Sequence, residues 1–134
     1  MTLYLDTSAL MKRYLPEPES DPCEAALLAD PEWVSARHTE VEIRRNLVRL
    51  LDGQALADAR SQFDRDWART HVVELDADTC SVASGLAEAT GARTLDALHL
   101  GAAMRAGGGQ IPLLTYDVRQ AQVARALGWM VLAP

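Results

Sequence analysis

The stretch TLYLDTSALMKRYLP, residues 2–16, decides the fold. Its first five residues form a short apolar run that ends in an acid, a strand by length and residue type. Residues 7–14 read as a short helix that Pro16 stops. The same alternation continues along the chain. Helical patterns at 19–29, 37–51, 54–69, 78–90, 95–106 and 118–127 are separated by apolar runs at 33–35, 72–75, 111–115 and 129–132. The breaks fall at Asp30-Pro31, Asp52-Gly53, Gly91, Gly107 to Gly109 and Gly128, where turn and C-cap residues belong. Strands alternating with helices predict an α/β fold with a parallel sheet covered on both faces. Right-handed crossovers bring the carboxyl ends of the strands to one edge, where open α/β sheets bind ligands.

A chain of 134 residues is expected to form one domain, 1–134, with a proper core. No apolar run approaches the ~18 residues of a membrane span. The opening residues lack the basic and long apolar regions of a signal peptide. A cytoplasmic protein without a membrane partner is expected. Cys23 and Cys80 lie far apart and fit no metal spacing, so both are expected to be buried free thiols. The net charge of −6 argues at first against a nucleic-acid partner. Distribution matters more than the sum. Twelve of the 13 basic residues are Arg, and Lys12 is the single Lys. Arg37, His38, Arg44, Arg45 and Arg49 lie in one segment around Glu42. Such a locally basic rim is compatible with RNA, because Arg suits bidentate phosphate contacts.

Four carboxylates carry the chemistry. Asp6 ends the first strand and Asp117 closely follows the fourth, so both should face the ligand-binding edge. Asp96 lies in the first turn of a helix and can point to the same place. Glu42 lies in the helix at 37–51. Clustered acids repel and raise each other's pKa, and a divalent cation resolves the conflict. Metal-dependent phosphodiester chemistry is the resulting hypothesis. Each acid also has a plain structural role available. Asp6 and Asp117 suit N-caps. Asp96 follows Thr94, a good N-cap, and is favoured by the helix dipole. Glu42 can pair with Arg45 or Asn46 one turn on. Glu40, two residues from Glu42, would lie on nearly the opposite face, and spacing alone does not choose between them.

Other chemistries find less support. No glycine-rich phosphate loop opens a helix, and Ser8 lacks the GxSxG context of a nucleophile. His38, His71 and His99 are spread out with no zinc spacing. His99, one turn after Asp96, reads as a core or supporting histidine. Trp33, Trp67 and Trp129 read as packing residues.

Taken together, LYLDTSALMKRYLPEPES (3–20), WVSARHTEVEIRRNL (33–47), TLDALHLGAAM (94–104) and LLTYDVRQAQVARALGWMVLAP (113–134) resemble the PIN-domain nucleases, and within them the VapC-type toxins of toxin–antitoxin pairs. The resemblance implies a PIN-like three-layer α/β/α fold with a short, mainly parallel sheet. It implies a Mg²⁺- or Mn²⁺-dependent endoribonuclease with Asp6, Glu42, Asp96 and Asp117 as catalytic and metal-binding acids. It favours Glu42 over Glu40, because Thr39, Glu42, Ile43 and Arg44–Arg45 match the family pattern. Asp6 and Asp96 are then the candidates for direct ligands. Glu42 and Asp117 would bind through water or orient the nucleophile. Thr7, Ser8 and Thr115 resemble the hydroxyl residues that support such acids. With RNA as the implied substrate, Arg37, Arg44, Arg45 and Arg93 are candidates for holding its backbone. The implied partners are a second copy in a homodimer and a small VapB-like antitoxin whose tail blocks the site. Leu10, Met11, Tyr14 and Leu15 are either a docking patch for such a peptide or ordinary core. The alternative is a catalytically silent PIN-like module that binds protein. A phosphotransfer domain with Asp6 as nucleophile would need a second Asp two residues on, where Ser8 stands.

Overall fold

The computed structural model describes residues 2–133. In chain order the elements are β1 (Thr2–Leu5), α1 (Thr7–Met11), α2 (Ser20–Ala29), β2 (Glu32–Ala36), α3 (Arg37–Leu50), α4 (Gly53–Ala68), β3 (His71–Val73), α5 (Ala77–Thr90), α6 (Thr94–Gly107), β4 (Leu113–Leu114), α7 (Val118–Ala126) and β5 (Val131–Leu132). The five strands form one sheet in the order β3-β2-β1-β4-β5, and every pairing is parallel. β1 is central. The chain builds outward from one side of it through β2 and β3, and returns to its other side only with β4. That reversal is the switch point at which a parallel sheet opens a crevice.

Side chains alternate across the sheet, as the period of a strand requires. Leu3 and Leu5 of β1, Trp33 of β2 and Leu114 of β4 enter one core with Leu10, Leu27, Ile43, Leu47 and Phe63 from α1 to α4. Tyr4, Val34, Ala36 and Leu113 enter the other with Leu100, Ala102 and Ala103 of α6 and Ala124 of α7. The result is a three-layer α/β/α arrangement, and each fully buried large apolar side chain contributes about 1.5–3 kcal/mol. Helix starts follow local chemistry. Asp6, Asp76 and Asp117 are N-caps whose carboxylates accept from backbone N–H groups of the first turn. Gly91 and Gly108 close α5 and α6 in the left-handed conformation, with φ of 75° and 57°.

Several expectations need correction. The first helix ends at Met11 rather than residue 14, and the chain continues in turns toward Pro16. The strand expected at 111–115 shortens to Leu113–Leu114, because Pro112 has no N–H to give to a ladder. Thr94 is the first residue of α6, and the cap position is Arg93, without a side-chain capping bond. Cys23 is buried, but Cys80 is exposed. α5 buries the face carrying Thr79 and Ala83, and Cys80 lies off that face. Leu10, Met11 and Tyr14 are buried in the core, with Leu15 packed against it, so they do not form an open docking patch.

The packing of α6 on α5 is closest at Gly101. A Cβ there would stand 2.8 Å from the Ala83 Cβ and 2.9 Å from the Ala83 backbone nitrogen. Gly101→Ala is therefore expected to lower stability by about 1–3 kcal/mol through overpacking, despite the better helix propensity of Ala. The urea midpoint measures this. An unchanged midpoint would mean that the two helices part freely.

Candidate functional site

The ends of β1 and β4 and the helices that follow them shape a pocket of about 220 Å³, lined by Asp6, Thr7, Ser8, Met11, Glu42, Asn46, Leu95, Asp96, His99 and Asp117. All four sequence-predicted acids thus line one pocket. They arrive by different routes: Asp6 from the end of β1, Asp117 just after β4, Glu42 from the second turn of α3 and Asp96 from the first turn of α6. Glu40 does not join them and lies 3.4 Å from Arg37.

Asp6 is the deepest acid, 4% exposed. Its Oδ1 accepts from Ser8 Oγ at 2.6 Å and from the Ala9 N–H at 3.1 Å, and its Oδ2 accepts from Thr115 Oγ1. Ser8 Oγ also accepts from the Tyr116 N–H at 2.9 Å, and Thr115 Oγ1 from the Asp117 N–H at 3.0 Å. These two hydroxyls tie the end of β1 to the end of β4 through the carboxylate. Burial raises the Asp6 carboxyl above its usual range, against the lowering effects of His99 and these hydrogen bonds. Asp96 is also raised, first by burial and then by the negative charge of Asp117. Asp117 accepts from the Arg119 and Gln120 N–H groups at 2.9 and 3.1 Å. Its capping role and its place in the pocket therefore coexist.

Glu42 lies on a different polar network. Burial pushes its carboxyl up, but hydrogen bonds from His99 and Thr7 outweigh that and hold it low. Thr7 Oγ1 donates to Glu42 Oε1 at 2.6 Å, and His99 Nε2 stands 3.3 Å from the same oxygen. His99 Nδ1 meets the buried Tyr4 hydroxyl at 2.9 Å. His38 Nε2 lies 3.6 Å from Glu42 Oε1, and the two imidazoles meet at a tilt of 48° with centroids 4.2 Å apart. Burial, then His99, lowers His38 to about 4, so it is neutral at pH 7. Spacing along the chain did not reveal this group. His38 and His99 are 61 positions apart, and only the fold brings α3 and α6 together. Asn46, one helical turn after Glu42, is a pocket residue that the i, i+4 spacing does reveal.

The arginines are placed unevenly. Arg93 borders a recess with Glu42, Thr94, Leu95 and Asp96, and its Nε is 3.6 Å from Asp96 Oδ2. Arg37 bonds Glu74 at 2.6 Å and Arg44 bonds Asp64 at 2.6 Å, both outside the acid pocket. Arg45 is exposed on α3. Arg119 was not singled out by sequence, yet it joins Arg93 and Asp96 around a neighbouring recess.

The donor chemistry fits a hard divalent ion. No three of the four carboxylates converge within 4.8 Å of one another. Carboxylates spread around a pocket suit Mg²⁺ or Mn²⁺, which keep several waters and take few protein ligands directly. A nearby cation would bring the raised Asp6 and Asp96 carboxyls back toward their usual range.

Comparison with known proteins agrees with this architecture. The PIN domain family matches residues 3–126. Ribonuclease VapC46 of Mycobacterium tuberculosis is 36% identical over 132 residues, covering 98% of this chain and 97% of that protein. VapC20 of Mycobacterium tuberculosis, described as a sarcin–ricin loop cleaving toxin, superposes with a TM-score of 0.70 at 18% identity, over 98% of this chain and 99% of the other. VapBC2 from Rickettsia felis, solved with a DNA fragment from its promoter, gives a TM-score of 0.68 at 15% identity, over 98% of each chain.

Proposed function

Because the chain belongs to the VapC branch of the PIN domain family, we propose that it is a metal-dependent endoribonuclease, the toxin of a toxin–antitoxin pair, hydrolysing RNA phosphodiester bonds at Asp6, Glu42, Asp96 and Asp117. Four carboxylates lining one pocket, with Asp6 kept in place against the penalty of its burial, carry this reading. A catalytically silent module would have no use for buried acids that destabilise it. The whole described chain contributes to the two cores that support the pocket, and we take it as one functional domain.

Mg²⁺ or Mn²⁺, when bound, supplies Lewis acidity and a more acidic water. The residues supply the rest. Asp6 and Asp96 would hold the ion. Ser8, Thr115 and the Ala9 N–H fix the Asp6 carboxylate, so its oxygens need no reorganisation. Glu42, held in its charged form, orients the attacking water and accepts its proton. Asp117, fixed by the N-terminus of α7, faces the same space from the β4 side. Arg93 and Arg119 stand at the rim, where a phosphate backbone would pass, and Arg45 extends the basic surface along α3, whereas Arg37 and Arg44 are paired with Glu74 and Asp64. Single-stranded RNA is the accessible substrate form. The chain would act in the cytoplasm as a homodimer, held silent by a VapB-like antitoxin.

Metal removal tests this reading. RNA cleavage should stop in excess chelator and return with added Mg²⁺ or Mn²⁺. The same ions should raise the melting temperature of the RNA-free protein by binding the folded state. Cleavage at full rate in chelator would contradict the proposal.

A further inference from the structure

We infer that His38, Glu42 and His99 form a second metal site, a mixed imidazole–carboxylate triad for a borderline divalent ion of the Zn²⁺ or Co²⁺ type, at the wall of the acid pocket that Glu42 and His99 also line. Their donor atoms all lie within 4.8 Å of one another, the only His, Cys, Asp or Glu group among the described residues that meets this closeness. Glu42 Oε1 is 3.3 Å from His99 Nε2 and 3.6 Å from His38 Nε2. Ligands bound 2.0–2.1 Å from a tetrahedral ion stand roughly 3.4 Å apart, so these separations need little adjustment.

His38 provides the second observation. It is 8% exposed, and both ring nitrogens are buried without a hydrogen-bond partner. Buried polar groups are normally satisfied. Here an imidazole beside the Leu95 backbone faces a carboxylate and a second imidazole, with Nε2 3.6 Å from the carboxylate oxygen, beyond hydrogen-bond distance and within the spacing of two ligands on one ion. His99 has the outer contact that orients metal-bound histidines. Its Nδ1 meets the Tyr4 hydroxyl at 2.9 Å; the Nε2 proton that serves Glu42 would leave when an ion binds, and donation from Nδ1 to Tyr4 would then hold the Nε2 lone pair toward the triad. Thr7 Oγ1, donating to Glu42 Oε1 at 2.6 Å, steadies the carboxylate in the same way. Three protein donors leave a fourth position for water. Imidazole nitrogen favours Zn²⁺ and its neighbours over Mg²⁺, so the triad and the carboxylates of the pocket select different ions. They share Glu42, and an ion held by the two histidines would draw that carboxylate away from the acid pocket.

The test is titration of the metal-stripped full-length protein with Co²⁺. One equivalent should develop the visible ligand-field bands of a four-coordinate site with nitrogen donors. Zn²⁺ should abolish them, and excess Mg²⁺ should not. His38→Leu should weaken Co²⁺ binding by more than about a hundredfold, beyond the usual effect of losing an outer contact. His38→Asn, checked by its melting curve, serves if the Leu variant does not fold. Asp6→Asn and Asp117→Asn should keep the bands. Absence of bands in the parent protein would overturn the inference. So would bands that survive both His38 substitutions or disappear in Asp117→Asn. None of these outcomes bears on the nuclease reading, which stands on chelator-sensitive RNA cleavage.

Discussion

Asp6→Asn is expected to reduce metal-supported RNA cleavage by about a thousandfold or more, while the protein folds and becomes no less stable at pH 7. The first half follows from charge. A carboxylate that holds a divalent ion contributes several kcal/mol to the stabilisation of the transition state, and about 4 kcal/mol is a factor of a thousand in rate. The second half follows from burial. Asparagine keeps an oxygen for the Ala9 N–H and retains most of the value of the N-cap, and the Ser8 and Thr115 hydroxyls can rotate to accept instead of donate. The charge itself is a burden in the metal-free protein, because burial raises the Asp6 carboxyl above its ordinary value of 3.8. For an acid raised in this way, stability is full below the unfolded-state pKa and declines as pH rises through the folded-state value. The parent protein undergoes that decline and the Asn variant does not. The stability difference in favour of Asn should therefore open as pH rises above 3.8 and stay level once Asp6 is fully ionised. Urea denaturation of both proteins across that range, alongside RNA cleavage assays, measures both halves. Retained cleavage would remove Asp6 from the site, and a variant much less stable than the parent would make Asp6 a purely structural cap.

The largest loss of stability is expected at Asp66. This residue on α4 is buried, 4% exposed. It accepts from Arg13 Nε at 2.7 Å, from Arg13 Nη2 at 3.3 Å and from the Tyr14 hydroxyl at 2.7 Å. It thereby fastens the turn after α1 to α4, over the Phe63 ring that Tyr14 meets edge-on at 5.9 Å. Arg13 is largely covered too, and its other anchor is Glu24 at 2.6 Å. Asp66→Ala removes a partner from a buried cation and a buried hydroxyl at once. Breaking such a pair typically costs 3–5 kcal/mol, a large share of a domain's total of roughly 5–15 kcal/mol. The melting temperature should fall by on the order of 10 °C. Replacing both partners by apolar residues, Arg13→Met with Asp66→Leu, should lose less than Asp66→Ala alone, since no orphaned charge remains. Equal losses would mean that the pair is solvated and that its geometry carries little energy.

How much of this was visible in the sequence depends on the range of the interaction involved. Strand and helix alternation was legible because it is written in local periodicity and in punctuation by Gly and Pro, and the three-layer arrangement followed from it. Asp6, Asp96 and Asp117 were legible because strand ends and first helical turns are local features that the fold always delivers to the same edge. Glu42 was separable from Glu40 only by resemblance, and the structure puts Glu42 at the pocket and Glu40 beside Arg37. The His38–His99 contact was not legible, because no spacing within one element encodes a contact between α3 and α6. The Leu10, Met11, Tyr14 and Leu15 patch failed as a surface for the same reason. An apolar stripe beside a site reads alike whether a partner or α4 covers it. Cys80 was misjudged because residue type suggested burial, whereas the rotation of α5 on the sheet decides it.

β1 sits at the centre of the sheet but is the first strand made. Its partner on the site side, β4, pairs Leu5 with Leu114. Thr115 and Asp117 follow that pairing, so an emerging polypeptide holds Asp6 and Glu42 long before it holds the residues that complete the pocket. Chains fold as they are synthesised, N-terminal portion first, and here everything through α6 must already exist before the β1 acid acquires its β4 neighbours. Assembly of the pocket thus depends on contacts of long sequence separation. While the ribosome is still adding residues before β4, the four acids cannot come together.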